Sequence, residues 1–164
     1  MQPDSAQTQA ASQVLLGCFL VGGRLVAIEV AHLREVVRFE TPTPLPGAPG
    51  LVEGVIDLRG ALVPVADLGR LLGGEPLRPG PRSRIAVAEV DGLAIGLAVD
   101  AAVEILAVDA AALGDPPRLL LESGCEATQA LVRRVGGPPI AVLSLEHLIG
   151  VLHRSALRPR QEAA

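Results

Sequence analysis

Residues 54–73, GVIDLRGALVPVADLGRLLG, set a charged turn between two apolar runs and follow it with a helical stripe. Val55 and Ile56 lead into Asp57-Leu58-Arg59-Gly60, and residues 62–65 lead away from it. Two apolar runs around a glycine-bearing turn read as a β-hairpin, because glycine takes the positive φ of a tight turn without a Cβ penalty. Arg59 is therefore expected near the turn, exposed. Asp67 then precedes Leu68, Leu71 and Leu72, which places an N-cap ahead of a short helix. The stretch reads as a docking surface rather than an active site.

Working outward, three more glycine turns separate apolar runs. Gly22-Gly23 divides residues 18–21 from 25–30, Asp91-Gly92 divides 85–90 from 93–99, and Gly136-Gly137 precedes 140–145. Four hairpins with only short helical patterns between them predict an all-β fold of small barrels or sandwiches. Leu145, Glu146, Leu148 and Ile149 mark a second short closing helix. Pro42, Pro44, Pro46 and Pro49 cannot donate to a ladder, so they belong to an irregular crossing segment.

The hairpins recur in a fixed order. Gly23, Val30, Glu35 and Val36 fall 69 positions before Gly92, Val99, Glu104 and Ile105, while Gly60, Val63, Val65, Leu68, Leu72 and Gly73 precede Gly137, Ile140, Val142, Leu145, Ile149 and Gly150 by 77. Two related subdomains follow, at about 14–73 and 84–150, within a unit of 14–155 and joined by a proline-stiffened linker at 74–83. Residues 1–13 and 156–164 read as tails, the first disordered. Asp57-Leu58-Arg59 has no counterpart in the second repeat. The apolar content, 49%, is high for halves this small, so they are expected to share a core and leave a groove.

Composition narrows the chemistry. A chain of 164 residues buries roughly 68 to 70% of its unfolded surface and needs no metal or disulfide to fold. Cys18 and Cys125 lie too far apart in sequence for a metal-knuckle spacing, and the amino terminus lacks a charged n-region and apolar h-region, so a reducing cytoplasm is expected. The most membrane-like run, 93–113, is interrupted by Asp100, Glu104 and Asp109 and reads as a buried strand pair. Lys, Asn, Trp and Tyr are absent, which removes a phosphate-loop or Schiff-base lysine and most base-stacking platforms. A formal charge of −4 argues against a nucleic-acid partner.

Catalysis is not expected. His32, His147 and His153 sit in no nucleophile motif, and Asp57, Asp67, Asp100 and Glu104 fall at strand ends and helix starts in separate hairpins. No cofactor or metal is implied. Alternation lets only some of Leu33, Val36, Val99, Val103 and Ile105 face a groove, the rest being barrel core. Arg59 carries a planar guanidinium suited to paired hydrogen bonds, and arginine is enriched at interface hot spots.

These residues resemble the CheW family, the adaptor that joins bacterial chemoreceptors to the histidine kinase CheA. Residues 54–68 are similar to its glycine, two strand residues, Asn-Leu-Arg-Gly, proline-bearing strand and Asp-Leu. Leu33-Arg34-Glu35-Val36 resembles its apolar-x-Glu-apolar strand, residues 96–100 with Glu104 and Ile105 resemble its Gly-x-x-Val-Asp segment, and residues 46–49 its Pro-x-x-Pro approach. Asp57 stands where the family often has Asn, which adds a charge able to pair with Arg59. Residues 130–134 lack the glycine usual before the last hairpin.

The resemblance implies two SH3-like five-stranded β-barrels sharing a core, with short closing helices. It implies a non-enzymatic cytoplasmic adaptor, recruited to membrane-associated receptor arrays, with a CheA-like kinase regulatory domain and a chemoreceptor's cytoplasmic tip as partners. Ring assembly with the kinase or with copies of itself is a further implication. Expected partner-binding residues are Leu33, Glu35, Val36, Asp57, Arg59, Val99, Asp100, Val103 and Ile105. Competing readings are a regulator of surface motility or another non-swimming output and a general SH3-like peptide binder, the latter disfavoured because only Phe19 and Phe39 supply aromatic rings. A fusion to a receiver would need roughly another 120 residues.

Overall fold

Apolar alternation and glycine turns cut the chain into antiparallel pairs, and the computed structural model, which describes residues 12–48, 50–119 and 127–157, shows how the pairs combine. The strands are β1 (Gln13–Val21), β2 (Arg24–Glu29), β3 (Leu33–Arg38), β4 (Val52–Leu58), β5 (Ala61–Asp67), β6 (Arg84–Val90), β7 (Leu93–Val99), β8 (Ala101–Asp109), β9 (Leu113–Gly114), β10 (Thr128–Val132) and β11 (Ile140–Leu143). Each expected glycine turn joins two of them. Helices close both repeats, at Leu68–Leu71 and Leu145–Leu157. The first is short, as its sequence predicts. The second runs 13 residues, longer than expected, because its apolar spacing continues through Leu148 and Leu152, both buried. Thus part of the expected carboxyl tail is helix, while residues 1–11 and 158–164 lie outside the described residues.

The strands form two sheets, in the orders β3-β6-β7-β5-β4 and β8-β1-β2-β11-β10-β9. The sheets do not follow the expected subdomain limits of 14–73 and 84–150. Each takes its leading hairpin from one repeat and its other strands from the other, so the two halves of the chain are interlocked. The exchange keeps register: Cys18 faces Ala27 in one hairpin and Val87 faces Gly96 in the other, 69 positions on. The parallel contacts correspond too, with Val65 opposite Gly96 and Val142 opposite Ala27.

Three apolar clusters follow from this topology. Leu16, Cys18, Val132, Ile140 and Val142 fill the interior of the six-stranded sheet. Their repeat counterparts Ile85, Val87, Ile56, Val63 and Val65 fill the five-stranded one. The third cluster is the shared core, drawn from Phe19, Val26 and Ile28 on one sheet, Ala86, Leu97 and Val99 on the other, and Leu148 of the long helix. Strand alternation makes this possible, since Phe19 faces away from the barrel interior that holds its neighbour Cys18 and into the joint core, while the register slip opposite this step leaves Val103 of β8 unpaired.

The run 93–113 is two strands, though only β7 is largely buried; β8 is an edge strand with most of its residues exposed. Among the described residues no helix is long and apolar enough to cross a membrane.

Candidate partner-binding groove

Where the outer face of β1 leaves the shared core, the packing opens. Phe19 is buried in that core, and two residues earlier Gly17 has no side chain to continue it. A Cβ at Gly17 would stand 2.8 Å from Leu33 Cδ1, so glycine is what lets β3 approach β1 there. Beside this contact lies a groove of about 400 Å³, lined by Leu33, Glu35 and Val36 of β3 and by Val103, Glu104 and Ile105 of β8, with Gly17, Cys18 and Phe19 behind them.

Five of the nine residues expected to meet partners therefore share one groove. Val36, Val103 and Ile105 are exposed, Ile105 at 67%, and covering such side chains is worth about 1.5 to 3 kcal/mol each when complete. Arg59 joins them through Glu35, its Nη2 donating to Glu35 Oε1 at 2.5 Å. That hydrogen bond raises the guanidinium pKa, with the charge of Glu35 adding to it. Since β3 and β4 are opposite edges of the five-stranded sheet, the pair ties one edge to the turn that follows the other.

The turn itself explains why Arg59 reaches Glu35. Leu58 pairs with Ala61, leaving Arg59 and Gly60 as a two-residue loop with φ of 52° and 89°, the positive values of a type I′ turn. Asp57 does not pair with Arg59 as its sequence position suggests. Its Oδ1 accepts from the Gly60 amide at 2.7 Å, which braces the turn and leaves the guanidinium free to cross to β3.

Two expected residues fall elsewhere. Val99 is fully buried in the shared core, because strand alternation points it inward, and it offers no side chain to the groove. Asp100 lies in a separate cavity of about 520 Å³, beside Gly22, Asp67 and the 75–78 segment. Its Oδ2 accepts from the Gly22 amide at 2.7 Å and its own amide donates to the Leu20 carbonyl at 2.9 Å, so it braces the β1–β2 turn against the β7–β8 junction. Asp67 is the expected N-cap: Oδ1 accepts from the Arg70 amide at 3.3 Å, and Oδ2 accepts from the Leu77 amide at 2.6 Å, which pins the linker.

Sequence reasoning passed over Arg134. Its Nη2 lies 3.5 Å from Glu104 Oε1, in the place that Arg59 holds beside Glu35. Arg59 thus has a positional counterpart in the second repeat. The fixed spacing of 77 missed it because the 133–139 loop is longer than the two-residue turn and shifts the arginine along the chain. Gly17 was also missed, having no signal beyond an isolated glycine within a strand pattern.

At the turn end of the five-stranded sheet, Leu62 and Leu93 begin the parallel neighbours β5 and β7 and are 70% and 50% exposed. The corresponding positions of the other sheet hold Pro139 and Arg24.

Two interlocked barrels with an open apolar groove between ion pairs define a double-barrel module. The chain belongs to the CheW-like domain family, which it matches over residues 16–153. Over 90 residues it is 40% identical to the chemotaxis protein CheW of Rhizobium meliloti (strain 1021), covering 55% of this chain and 58% of that protein. The matched region thus spans little more than half of that relative's length. With protein FrzA of Myxococcus xanthus it shares 31% identity over 156 residues, 94% of this chain and 84% of FrzA. The scaffolding protein TtCheW from Thermoanaerobacter tengcongensis has a similar structure, with a TM-score of 0.73 at 26% identity over 82% of this chain and 91% of that one.

Proposed function

We propose that this chain is a non-enzymatic cytoplasmic adaptor that couples chemoreceptors to a CheA-type histidine kinase within a membrane-associated array. The observation that carries the reading is the groove. Leu33, Val36, Val103 and Ile105 offer an apolar floor at the open edge of the shared core, and the Glu35–Arg59 pair stands at its margin. A helical hairpin such as a receptor's membrane-distal tip presents apolar side chains along a helix face, which suits a groove of this kind. Arg59 keeps guanidinium donors beyond the one given to Glu35 and is 74% exposed, so it can also meet an acceptor on the partner.

The kinase surface in this reading is the turn end of the five-stranded sheet. Leu62 and Leu93 are apolar there, separate from the groove residues, and suited to barrel-against-barrel contact with the kinase regulatory domain. Two surfaces on one rigid double barrel let both partners bind at once, and repetition of such contacts would extend into rings.

Titration of the chain with a purified receptor-tip fragment, and separately with the kinase regulatory domain, tests this, together with kinase activation in the three-component mixture. Binding to both is expected, and Arg59→Glu should weaken assembly about thirty-fold or more while the protein stays folded, the scale of an interface hot spot. Absence of binding to either partner would sink the adaptor reading.

A further inference from the structure

The groove has two charged margins, and only the Arg59 side is legible from the sequence motif. Glu104 lies 69 positions after Glu35 and lines the same groove, on β8 where Glu35 is on β3. Each carboxylate holds an arginine carried just beyond a corresponding strand of its repeat: Arg59 follows β4 and Arg134 follows β10. Val36 and Ile105, each next in sequence to one of the glutamates, are both exposed. The apolar floor therefore runs between two corresponding guanidinium–carboxylate pairs, Arg59–Glu35 at 2.5 Å and the looser Arg134–Glu104 at 3.5 Å.

From this arrangement we infer that Arg134, held by Glu104, is a second anchoring residue of the groove, recognising a carboxylate or other acceptor beside the apolar stripe of its helical occupant. The inference rests on the receptor-tip reading and adds to it the β8 margin. Three observations place Arg134 for the task. It gives one N–H to Glu104, leaving further donors of its planar fork for an acceptor. Its side chain is 34% exposed, so it is ordered by packing yet reachable. Burial raises the pKa of the Cys18 thiol behind the groove, Glu104 adds to the rise, and Arg134 is near enough to oppose it in part, which sets the pair beside β1.

A purely structural pair would serve equally well with its charges exchanged, and this separates the two roles. The doubly reversed variant Glu104→Arg/Arg134→Glu keeps the ion pair but presents the wrong charge to the occupant. It is expected to melt within a few degrees of the unaltered protein and to bind the purified receptor-tip fragment about tenfold more weakly. Arg134→Gln, which disturbs the fold least, should also weaken binding. Unchanged affinity in both variants would overturn the inference. The matching exchange Glu35→Arg/Arg59→Glu and the floor variant Ile105→Asp serve as controls: if these also leave affinity unchanged, the groove reading itself fails, whereas if they alone weaken binding, only the role of Arg134 is lost.

Discussion

The two sheets share one strand order and differ at their ends. In both, the third strand of a repeat (β3 or β8) lies beside the leading hairpin of the other repeat, followed by β5 and β4 in one sheet and by β11 and β10 in the other, where the two-residue β9 is an extra edge strand. Their interiors correspond residue by residue, Leu16 with Ile85, Cys18 with Val87 and Ile140 with Val63. The five-stranded sheet ends in a tight Arg59-Gly60 turn flanked by exposed Leu62 and Leu93. The six-stranded sheet has the longer 133–139 loop, with Arg24 and Pro139 in the leucine positions. Repetition marks what the scaffold requires, and under the proposed adaptor role the divergent barrel ends are where partners would be told apart. Two surfaces of different chemistry suit the two partners of that proposed role.

The largest expected effect comes from breaking the exchange. Each sheet needs strands from both halves, so expressing residues 1–78 and 79–164 as separate chains should leave each without cooperative structure. Mixing them should restore the native β signal in circular dichroism. A cooperatively folded half would show that the exchange is dispensable.

Next come paired core truncations. Ile28 and Leu97 occupy equivalent positions, both fully buried in the shared core. Truncating either to alanine should cost about 2 to 5 kcal/mol. Because the core joins both sheets, both losses should appear in one denaturation transition, followed with urea; two separated transitions would mean that the barrels unfold independently.

A smaller effect tests the divergent ends. Leu93→Arg copies the other sheet's Arg24 and should weaken binding to the kinase regulatory domain by about 2 kcal/mol, with receptor-tip binding unchanged. Calorimetric titration against each partner would read the split, and an equal loss for both would merge the two surfaces into one. The smallest change is Asp57→Ala. It removes the bond from the Gly60 amide, and loss of about 0.5 to 1.5 kcal/mol in thermal unfolding is expected.

Much of this was readable from local signals. Glycine turns gave the hairpins, the spacings of 69 and 77 gave the repeat, and Asp67 before Leu68 gave the N-cap that the structure shows. Five groove residues were named together because the resemblance pointed to them and alternation allowed it. Val99 was misplaced because alternation shows that neighbours face opposite ways but not which face lies against a second sheet. Asp57 was paired with Arg59 because they are close in sequence, whereas the type I′ backbone sends the carboxylate to the Gly60 amide and the guanidinium to Glu35. Arg134 escaped because a loop of different length breaks the spacing while preserving the position in space.

The sequence by itself determined the β class, the hairpins, the duplication and the family, since all of these rest on near-neighbour periodicity and short motifs. Only the tertiary structure decided that the halves interlock, that Gly17 opens the shared core into a groove, and that two ion pairs flank it. These depend on contacts between residues far apart in the chain. The pairing of β2 with β11 instead of β5 is chosen by how two sheets bury their apolar faces together, and no local pattern records that choice.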